Sequence, residues 1–275
     1  MVLLKARTIL PGFGLSFGIS LFSLSLLVLV PFAMLVYSTA GMGVQAFFDT
    51  INQPQVVAAI LLTLKMSFLA VLTNLIFGTM IAWVLVRYQF WGRGLINAVV
   101  DLPFALPTAV TGIALATLYA PNGWLGRWFP FKIAFTSIGI WIALVVVSLP
   151  FIVRAVQPVL DDLSTELEEA AATLGARQWQ IFYRVILPEL LPALLMGAGM
   201  AFARATGEYG SVIFIAGNIP NVSEILPVII TAKLEMFDVA GASAVALFML
   251  LISFVILFVF NLAQWFFSKR LGAKV

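Results

Sequence analysis

The sequence has 275 residues, of which 63% are hydrophobic and only 10% are charged. A soluble domain is nearer half apolar and a quarter charged, so a soluble fold of this length is excluded. His and Cys are both absent, which excludes disulfides, thiol nucleophiles, imidazole bases and the usual metal sites. The net charge of +3 is too small to indicate a nucleic-acid partner, and we expect it to orient the chain in membrane lipid.

Six apolar segments recur along the chain, each about as long as the roughly 20 residues that a helix needs to cross a bilayer. They lie at about residues 13–37, 66–86, 97–120, 133–153, 187–215 and 240–267. Strands would leave unpaired backbone groups in lipid, so the segments are predicted to be helices. The sequence therefore predicts an all-α membrane protein with about six transmembrane helices.

The first apolar segment follows two basic residues, Lys5 and Arg7, as the core of a signal peptide would. It is longer than such a core and no small-residue cleavage site follows it, so we expect it to remain as the first transmembrane helix. We divide the chain into residues 1–56 with this helix, a core of residues 57–268, and a short basic tail of residues 269–275.

The Lys and Arg residues between the helices predict the orientation of the chain. If both termini are cytoplasmic, ten basic residues lie inside: Lys5, Arg7, Arg87, Arg93, Arg154, Arg177, Arg184, Lys269, Arg270 and Lys274. Three lie outside: Arg127, Lys132 and Lys233. This asymmetry predicts cytoplasmic termini and a cytoplasmic loop at residues 160–184.

That loop is the longest polar stretch and is predicted to form two short helices. Thr165 and Glu168 have the spacing of a capping box, and Gly175 suits the left-handed conformation that ends a helix. An apolar stripe is formed by Leu163, Leu167, Ala170, Ala171 and Leu174. Such a helix either lies against its own bundle or docks into a groove on a cytoplasmic partner.

Residues 169–188 carry a family resemblance. Glu169-Ala170-Ala171, then Gly175, then residues 185–188 (Val-Ile-Leu-Pro) match the pattern E-A-A-x3-G-x9-I-x-L-P, with Val185 in place of Ile. This run resembles the EAA signature of bacterial ABC importer permeases. The resemblance implies a type I ABC importer fold and a coupling helix that docks onto an ATPase subunit. It assigns that role to Glu168, Glu169, Ala170, Ala171, Gly175, Ala176, Leu187 and Pro188.

No G-x-x-x-x-G-K-[ST] phosphate loop occurs in the sequence. The chain is therefore expected to be a non-catalytic subunit without a cofactor or metal of its own, and ATP–Mg is expected on a separate ATPase subunit.

Two further stretches, residues 101–114 (DLPFALPTAVTGIA) and 204–220 (RATGEYGSVIFIAGNIP), are similar to sulfate and molybdate permeases. They resemble the sulfate/thiosulfate T-type permease subunits most. The resemblance implies import of sulfate, and of thiosulfate, across a bacterial inner membrane. The implied partners are a second, related permease subunit, two ATPase subunits and a periplasmic binding protein. Molybdate or tungstate remains an alternative substrate.

The same two stretches supply candidates for a translocation path or gate. Pro103 and Pro107 are expected to interrupt the third helix, which either exposes backbone dipoles to the substrate or only kinks the helix. Arg204 and Glu208 are predicted to form an intramembrane ion pair, which either faces a cavity or only fixes helix packing. The other candidates are Thr108, Thr111, Thr206, Gly207, Gly210 and Ser211.

The sequence disfavours two other classes of membrane protein. A secondary transporter driven by an ion gradient would carry a membrane carboxylate site without an ATPase dock, and the EAA segment disfavours it. An intramembrane hydrolase would need a Ser–Lys pair, for which Lys65 is the candidate base, and no G-x-S-x-G occurs.

Overall fold

The computed structural model describes residues 13–271, except for the side chains of Ser268, Arg270 and Leu271. Every regular element in these residues is helical, as predicted. The α-helices are α1 (Phe13–Leu24), α2 (Val30–Ala40), α3 (Val44–Ile51), α4 (Pro54–Arg87), α5 (Arg93–Ala105), α6 (Thr108–Tyr119), α7 (Ser137–Asp162), α8 (Thr165–Thr173), α9 (Gln178–Ile181), α10 (Leu187–Thr206), α11 (Val212–Ile215), α12 (Leu226–Glu235) and α13 (Val239–Leu271). Single π-helical turns, Ser25–Leu29 and Phe182–Ile186, join α1 to α2 and α9 to α10.

Within the described residues, five helical segments are long and apolar enough to cross a membrane: Phe13–Ala40, Pro54–Arg87, Ser137–Asp162, Gln178–Thr206 and Val239–Phe267. The sixth predicted span is a broken pair, α5 and α6, bent by 113°. The prediction of about six spans is confirmed when this pair is taken as one.

The break between α5 and α6 depends on one of the two prolines named above. Pro103 lies inside α5 without ending it, so the prediction that it interrupts the helix is wrong. Pro107 disfavours helical backbone at the residue before it, and Leu106 is accordingly extended at φ −86° and ψ 138°. The helix therefore stops at Ala105 and restarts at Thr108.

Three other helix limits differ from the predicted windows. The second span begins at Pro54 rather than near residue 66. The fourth continues to Asp162, so Arg154, which was counted as a loop residue, lies inside α7. The fifth ends at Thr206, and only the four-residue α11 follows before residue 215.

The core of the bundle consists of α7 packed between α4 and α10. Glycines allow these helices to approach closely, because lipid supplies no hydrophobic drive and tight packing must hold the helices together. Gly78 of α4 faces Ile152, and Gly197 of α10 faces Ala155, so a Cβ on either glycine would lie only 3.0–3.1 Å from the side chain of α7. Gly197 therefore allows α10 to pack closely against α7.

The segment from α1 to α2 lies at the periphery. Its one buried residue among the described ones is Thr39, and its Ser38 hydroxyl meets that of Ser243 in α13 at 3.2 Å. Lys5, Arg7 and Lys274 lie outside the described residues. The predicted division after residue 56 falls within α4, and the domain division stays a prediction.

The helix ends form two groups. The C-terminal end of α4 contacts α8, and a cavity there is lined by the start of α5 and the end of α7. At the opposite end the Leu226 amide of α12 donates to the Thr63 hydroxyl of α4 at 2.9 Å. We call the first group the α8 end. The basic residues Arg87, Arg93, Arg177 and Arg184 belong to the α8 end, whereas Arg127, Lys132 and Lys233 belong to the opposite end.

Candidate coupling segment and translocation path

Helix α8 begins one residue earlier than the predicted capping box implies. The Ser164 hydroxyl is the N-cap and accepts a bond from the Glu166 amide at 3.2 Å. The predicted box of Thr165 with Glu168 is therefore wrong. Glu168 instead turns away to Arg87, which lies 81 residues earlier in the chain.

Gly175 ends the helix as its sequence position predicts. Its φ is +82°, a conformation that an L side chain rarely adopts, and no atom lies within 4 Å of a Cβ placed there. The amides of Gly175 and Ala176 donate to the carbonyls of Ala172 and Ala171, at 2.9 and 3.1 Å, and so close the helix.

The described residues of α8 include none that is buried. Glu169, Ala170 and Gly175 are exposed, and so are the apolar side chains of Leu167 (51%) and Leu174 (89%). Ala171 and Ala176 are half-buried. Of the stripe expected from the sequence, Leu163 packs against the core of the bundle. The remaining apolar face of α8, with Leu167, Ala170 and Leu174, is exposed and is available to another protein.

The part of the predicted coupling segment that begins at Gln178 is continuous with a transmembrane helix. Helix α9 passes through the π-helical turn into α10, and the whole segment Gln178–Thr206 is one span of 29 residues. Leu187 and Pro188 are half-buried at the start of α10. The last turn of α4 lies against this region, where the Trp83 and Phe182 rings meet edge to face at 6.2 Å.

The two stretches that carry the oxyanion-permease resemblance meet in space, although they are about a hundred residues apart. Gly112 of α6 packs on the backbone of Ser211, and Gly210 packs on Thr108. Thr111 and Ser211 are buried in the same region. The structure therefore places Thr108, Thr111, Gly210 and Ser211 together beside the α5–α6 break.

Glu208 lies at the base of this contact and is 2% exposed. Its Oε1 accepts bonds from the Ser211 amide and hydroxyl, each at 2.8 Å, and its Oε2 pairs with Arg204. The carboxylate is fully engaged, so it fixes the turn after α10 rather than facing a substrate. This arrangement favours the packing interpretation of the Arg204–Glu208 pair.

Thr206 and Gly207 lie apart from the contact between α6 and α11. Thr206 is buried, and its hydroxyl donates to the Phe202 carbonyl at 3.0 Å. It faces the opposite side of α10, beside Thr63 and Leu226. The expectation that Thr206 offers a hydroxyl to the path is thus not supported, and Gly207 is exposed without a close neighbour outside its own helix.

A polar network between α5 and α7 was not predicted from the sequence. Arg154 donates to both carboxylate oxygens of Asp101, to the Asn97 side chain at 3.0 Å and to Gln157 at 2.6 Å. It borders a cavity of about 540 Å³ at the α8 end. The sequence feature that could have indicated this network is Asp101, a single acidic residue within the apolar segment at about residues 97–120.

A buried amide between α4 and α7 was missed as well. Asn74 is fully buried, and its Nδ2 donates to the Ser148 hydroxyl at 2.9 Å and to the Val145 carbonyl at 3.0 Å. Its presence in an otherwise apolar run was a signal, because polar residues at membrane depth usually bond across helices.

The sequence of this chain matches a known family of membrane proteins. Residues 74–272 match the model of the family described as binding-protein-dependent transport system inner membrane component. The chain belongs to this family. The prediction of an ABC importer permease is confirmed, and the match covers the coupling segment and both stretches of the α6–α11 contact.

Individual relatives of this permease are similar over nearly its whole length. The sulfate transport system permease protein CysT of Escherichia coli is 47% identical over 273 residues, covering 98% of this chain and 99% of the relative. The protein of that name from Synechocystis sp. is 45% identical, covering 90% of this chain and 87% of the relative.

Solved structures show that the permease has the fold of known ABC importers. A chain of a bacterial alginate ABC transporter, in complex with its alginate-bound periplasmic protein, has a TM-score of 0.75 at 16% identity, covering 94% of both chains. A chain of the MetNI methionine ABC transporter has a TM-score of 0.60 at 20% identity, covering 77% of this chain and 95% of that chain. The predicted type I importer fold is thereby confirmed.

Proposed function

We propose that the chain is the membrane-spanning subunit of an ATP-driven importer that carries sulfate into the cytoplasm. The observation that carries the proposal is helix α8, which stands outside the bundle with an exposed apolar face and is followed, after the turn at Gly175, by the continuous span Gln178–Thr206 that contains α10. Relatives that are 45–47% identical over most of the chain are named as sulfate transport permeases, which supports sulfate as the substrate.

The assembly we propose contains a second, related permease subunit, two ATPase subunits and a periplasmic sulfate-binding protein. Basic residues concentrate at the α8 end, which supports a cytoplasmic position for α8 and for both termini. ATP–Mg would be bound and hydrolysed by the ATPase subunits. This chain supplies no bond chemistry, and its role is to bind the ATPase and change shape.

In this mechanism ATP binding closes the ATPase pair and draws α8 with it. Because α9 and α10 are continuous, the displacement reaches the turn at residues 207–211. There Gly210 and Ser211 pack on α6, so movement of α10 shifts α6 and the path beside the α5–α6 break. Hydrolysis returns the contact to its first position.

Thiosulfate is expected to be carried together with sulfate, and molybdate and tungstate are the alternative cargoes, because all of them are tetrahedral dianions. An ion-gradient-driven transporter is disfavoured, since Glu208, the buried carboxylate of the α6–α11 contact, is already bonded to Arg204 and Ser211.

The test replaces residues of α8 in a strain that lacks its own sulfate importer. Glu169→Ala and Gly175→Ala should reduce recovery of the ATPase with the permease and lower sulfate uptake at least about tenfold. Gly43→Ala is the matched control, because Gly43 also has φ +82° and open space around it but lies between α2 and α3.

Two results would decide against the proposal. Normal ATPase recovery and normal uptake in both α8 variants would remove the docking role. Uptake of labelled sulfate that is unaffected by deletion of the chain, while molybdate uptake is lost, would assign the cargo to the alternative.

A further inference from the structure

The described residues tie α8 to the bundle through one ion pair. Nη2 of Arg87 and Oε1 of Glu168 lie 2.5 Å apart, and their side chains are 16% and 26% exposed. The Arg87 guanidinium also stacks over the Trp83 ring at 5.4 Å. Arg87 is the last residue of α4, and Glu168 lies in the middle of α8.

This pair has greater influence on α8 than an ordinary surface ion pair. Exposed pairs contribute little because water screens both charges, whereas these two charges are partly withdrawn from water. The helix itself buries no residue and so has little apolar packing to hold it in place. The Nε atom of Arg87 is buried without a partner among the described residues, so loss of Glu168 would leave the guanidinium poorly satisfied.

The last turn of α4 also contacts the π-helical turn Phe182–Ile186, which leads into α10. Trp83, four residues before Arg87, meets Phe182 edge to face. Phe182 begins the π-helical turn that leads into α10. One turn of α4 therefore contacts both α8, through Glu168, and the base of α10, through Phe182.

We propose that Arg87 is a positioning residue for energy coupling, which transmits the displacement of α8 to α4 through Glu168 so that α4 and α10 move together. This inference rests on the proposed docking of α8 to an ATPase subunit. Helix α4 has 34 residues and is about 51 Å long, so its other end lies across the membrane. There Thr63 accepts the Leu226 amide, and the displacement reaches α12.

The inference predicts uncoupling rather than loss of the complex. With Arg87→Ala or Arg87→Gln, α8 still presents Glu168, Glu169, Ala170 and Gly175 to the ATPase, so the importer should assemble and hydrolyse ATP. The motion should reach α10 but not α4. We expect sulfate uptake per ATP hydrolysed to fall at least about tenfold in both variants.

The experiment uses the complete importer, with both permeases, the ATPase and the binding protein, reconstituted in phospholipid vesicles. ATP hydrolysis and labelled sulfate uptake are measured in the same vesicles. The charge-swapped pair, Arg87→Glu with Glu168→Arg, should recover a substantial part of the ratio, although the cation–π contact with Trp83 is lost. A merely structural role would lower the amount of assembled importer, and with it both uptake and hydrolysis, but would leave their ratio unchanged.

Arg127→Ala is the control, because Arg127 stacks over the Trp128 ring at 5.5 Å and forms no ion pair with a described carboxylate. It removes an equivalent ring contact at the opposite end of the molecule and should leave the ratio unchanged. If Arg87→Ala prevents assembly, the Arg87→Gln variant, which retains a hydrogen-bond donor but no charge, is measured in its place.

An unchanged ratio of uptake to hydrolysis in an assembled Arg87 variant would overturn the inference. So would a charge-swapped pair that performs no better than the single variants. If Glu169→Ala and Gly175→Ala still release the ATPase in that case, the proposed function stands and only the role of Arg87 fails. If those two variants are also normal, both proposals fail together.

Discussion

Gly210 and Thr108 are in such close contact that a Cβ atom added to the glycine would overlap the threonine hydroxyl. The contact joins the turn after α10 to the first residue of α6, which restarts the broken span. Together with the packing of Gly112 on Ser211, it joins the two oxyanion-permease stretches directly.

Gly210→Ala should therefore destabilise the folded protein by about 1–3 kcal/mol, the usual cost of forcing an extra carbon into a packed site. Adding Thr108→Ala should restore part of this loss, because it removes the hydroxyl but leaves the threonine Cβ position at 3.1 Å. Unfolding by SDS in mixed micelles measures both. Gly18→Ala, in open space on α1, should be neutral, and an equal effect there would contradict the explanation.

Asn74 should stabilise the α4–α7 contact by hydrogen bonding across the helices. Asn74→Ala removes two interhelical bonds and is expected to cost about 0.6–2 kcal/mol, the range found for such bonds in membranes. The same unfolding measurement applies. Thr117→Ala is the matched control, since the Thr117 hydroxyl is exposed and bonds only its own helix; a similar loss in both variants would exclude the interhelical account.

Arg154 should hold α5 against α7, because Val100 is the single buried residue of α5. Arg154→Ala is expected to cost about 1–3 kcal/mol, the range for charged hydrogen bonds in a partly exposed setting. Arg154→Lys should recover little, since an ammonium cannot reproduce the paired bonds to Asp101. Faster amide exchange in α5, with unchanged exchange in the core of α7, would identify the defect; uniform acceleration would contradict it.

Asp238 should make the start of α13 sensitive to acid. The Gly241 amide donates to its carboxylate and the Lys233 ammonium pairs with it at 3.0 Å, and both lower the pKa of Asp238 below its ordinary value of 3.8. The charged form is favoured by folding, so its stabilisation is present above pH 3.8 and is lost as the pH falls through the lowered pKa.

Asp238→Ala should cost about 0.5–2 kcal/mol near neutral pH, because it removes the N-cap of α13. Asp238→Asn keeps an acceptor for the Gly241 amide but cannot titrate. The stability difference between the parent and the Asn variant should thus shrink only in the acid range, below the ordinary pKa. A difference that stays constant from neutral to strongly acid solution would be inconsistent with this role.

The transmembrane spans could be predicted because their apolar character is a property of each segment by itself. The same holds for Gly175, whose backbone requirement is local to the end of α8. Pro107 predicted a break, but its 113° angle depends on how α6 packs on Ser211, which no local pattern encodes.

The features that were missed depend on partners distant in sequence. Thr165 and Ser164 are both suitable caps. Glu168, which would complete a capping box with Thr165, instead bonds to Arg87, a partner 81 residues earlier in the chain. The polar network of Arg154 could not be predicted, because its partners Asp101 and Asn97 lie more than 50 residues earlier in the chain. Thr206 and Ser211 are both buried hydroxyl residues near the end of α10, but Thr206 faces Thr63 and Leu226 whereas Ser211 faces α6. The spacing of residues in the sequence does not specify which side each of them faces.

The continuity of Gln178–Thr206 has a mechanical consequence. Twenty-nine residues form a lever arm of about 43 Å, and tilting it by about 5° about one end swings the other by about 4 Å. Gly210 and Thr108 have less than one carbon atom of clearance between them. With the docking proposed above, a tilt of this size at the ATPase end would press Gly210 on Thr108 and so displace α6.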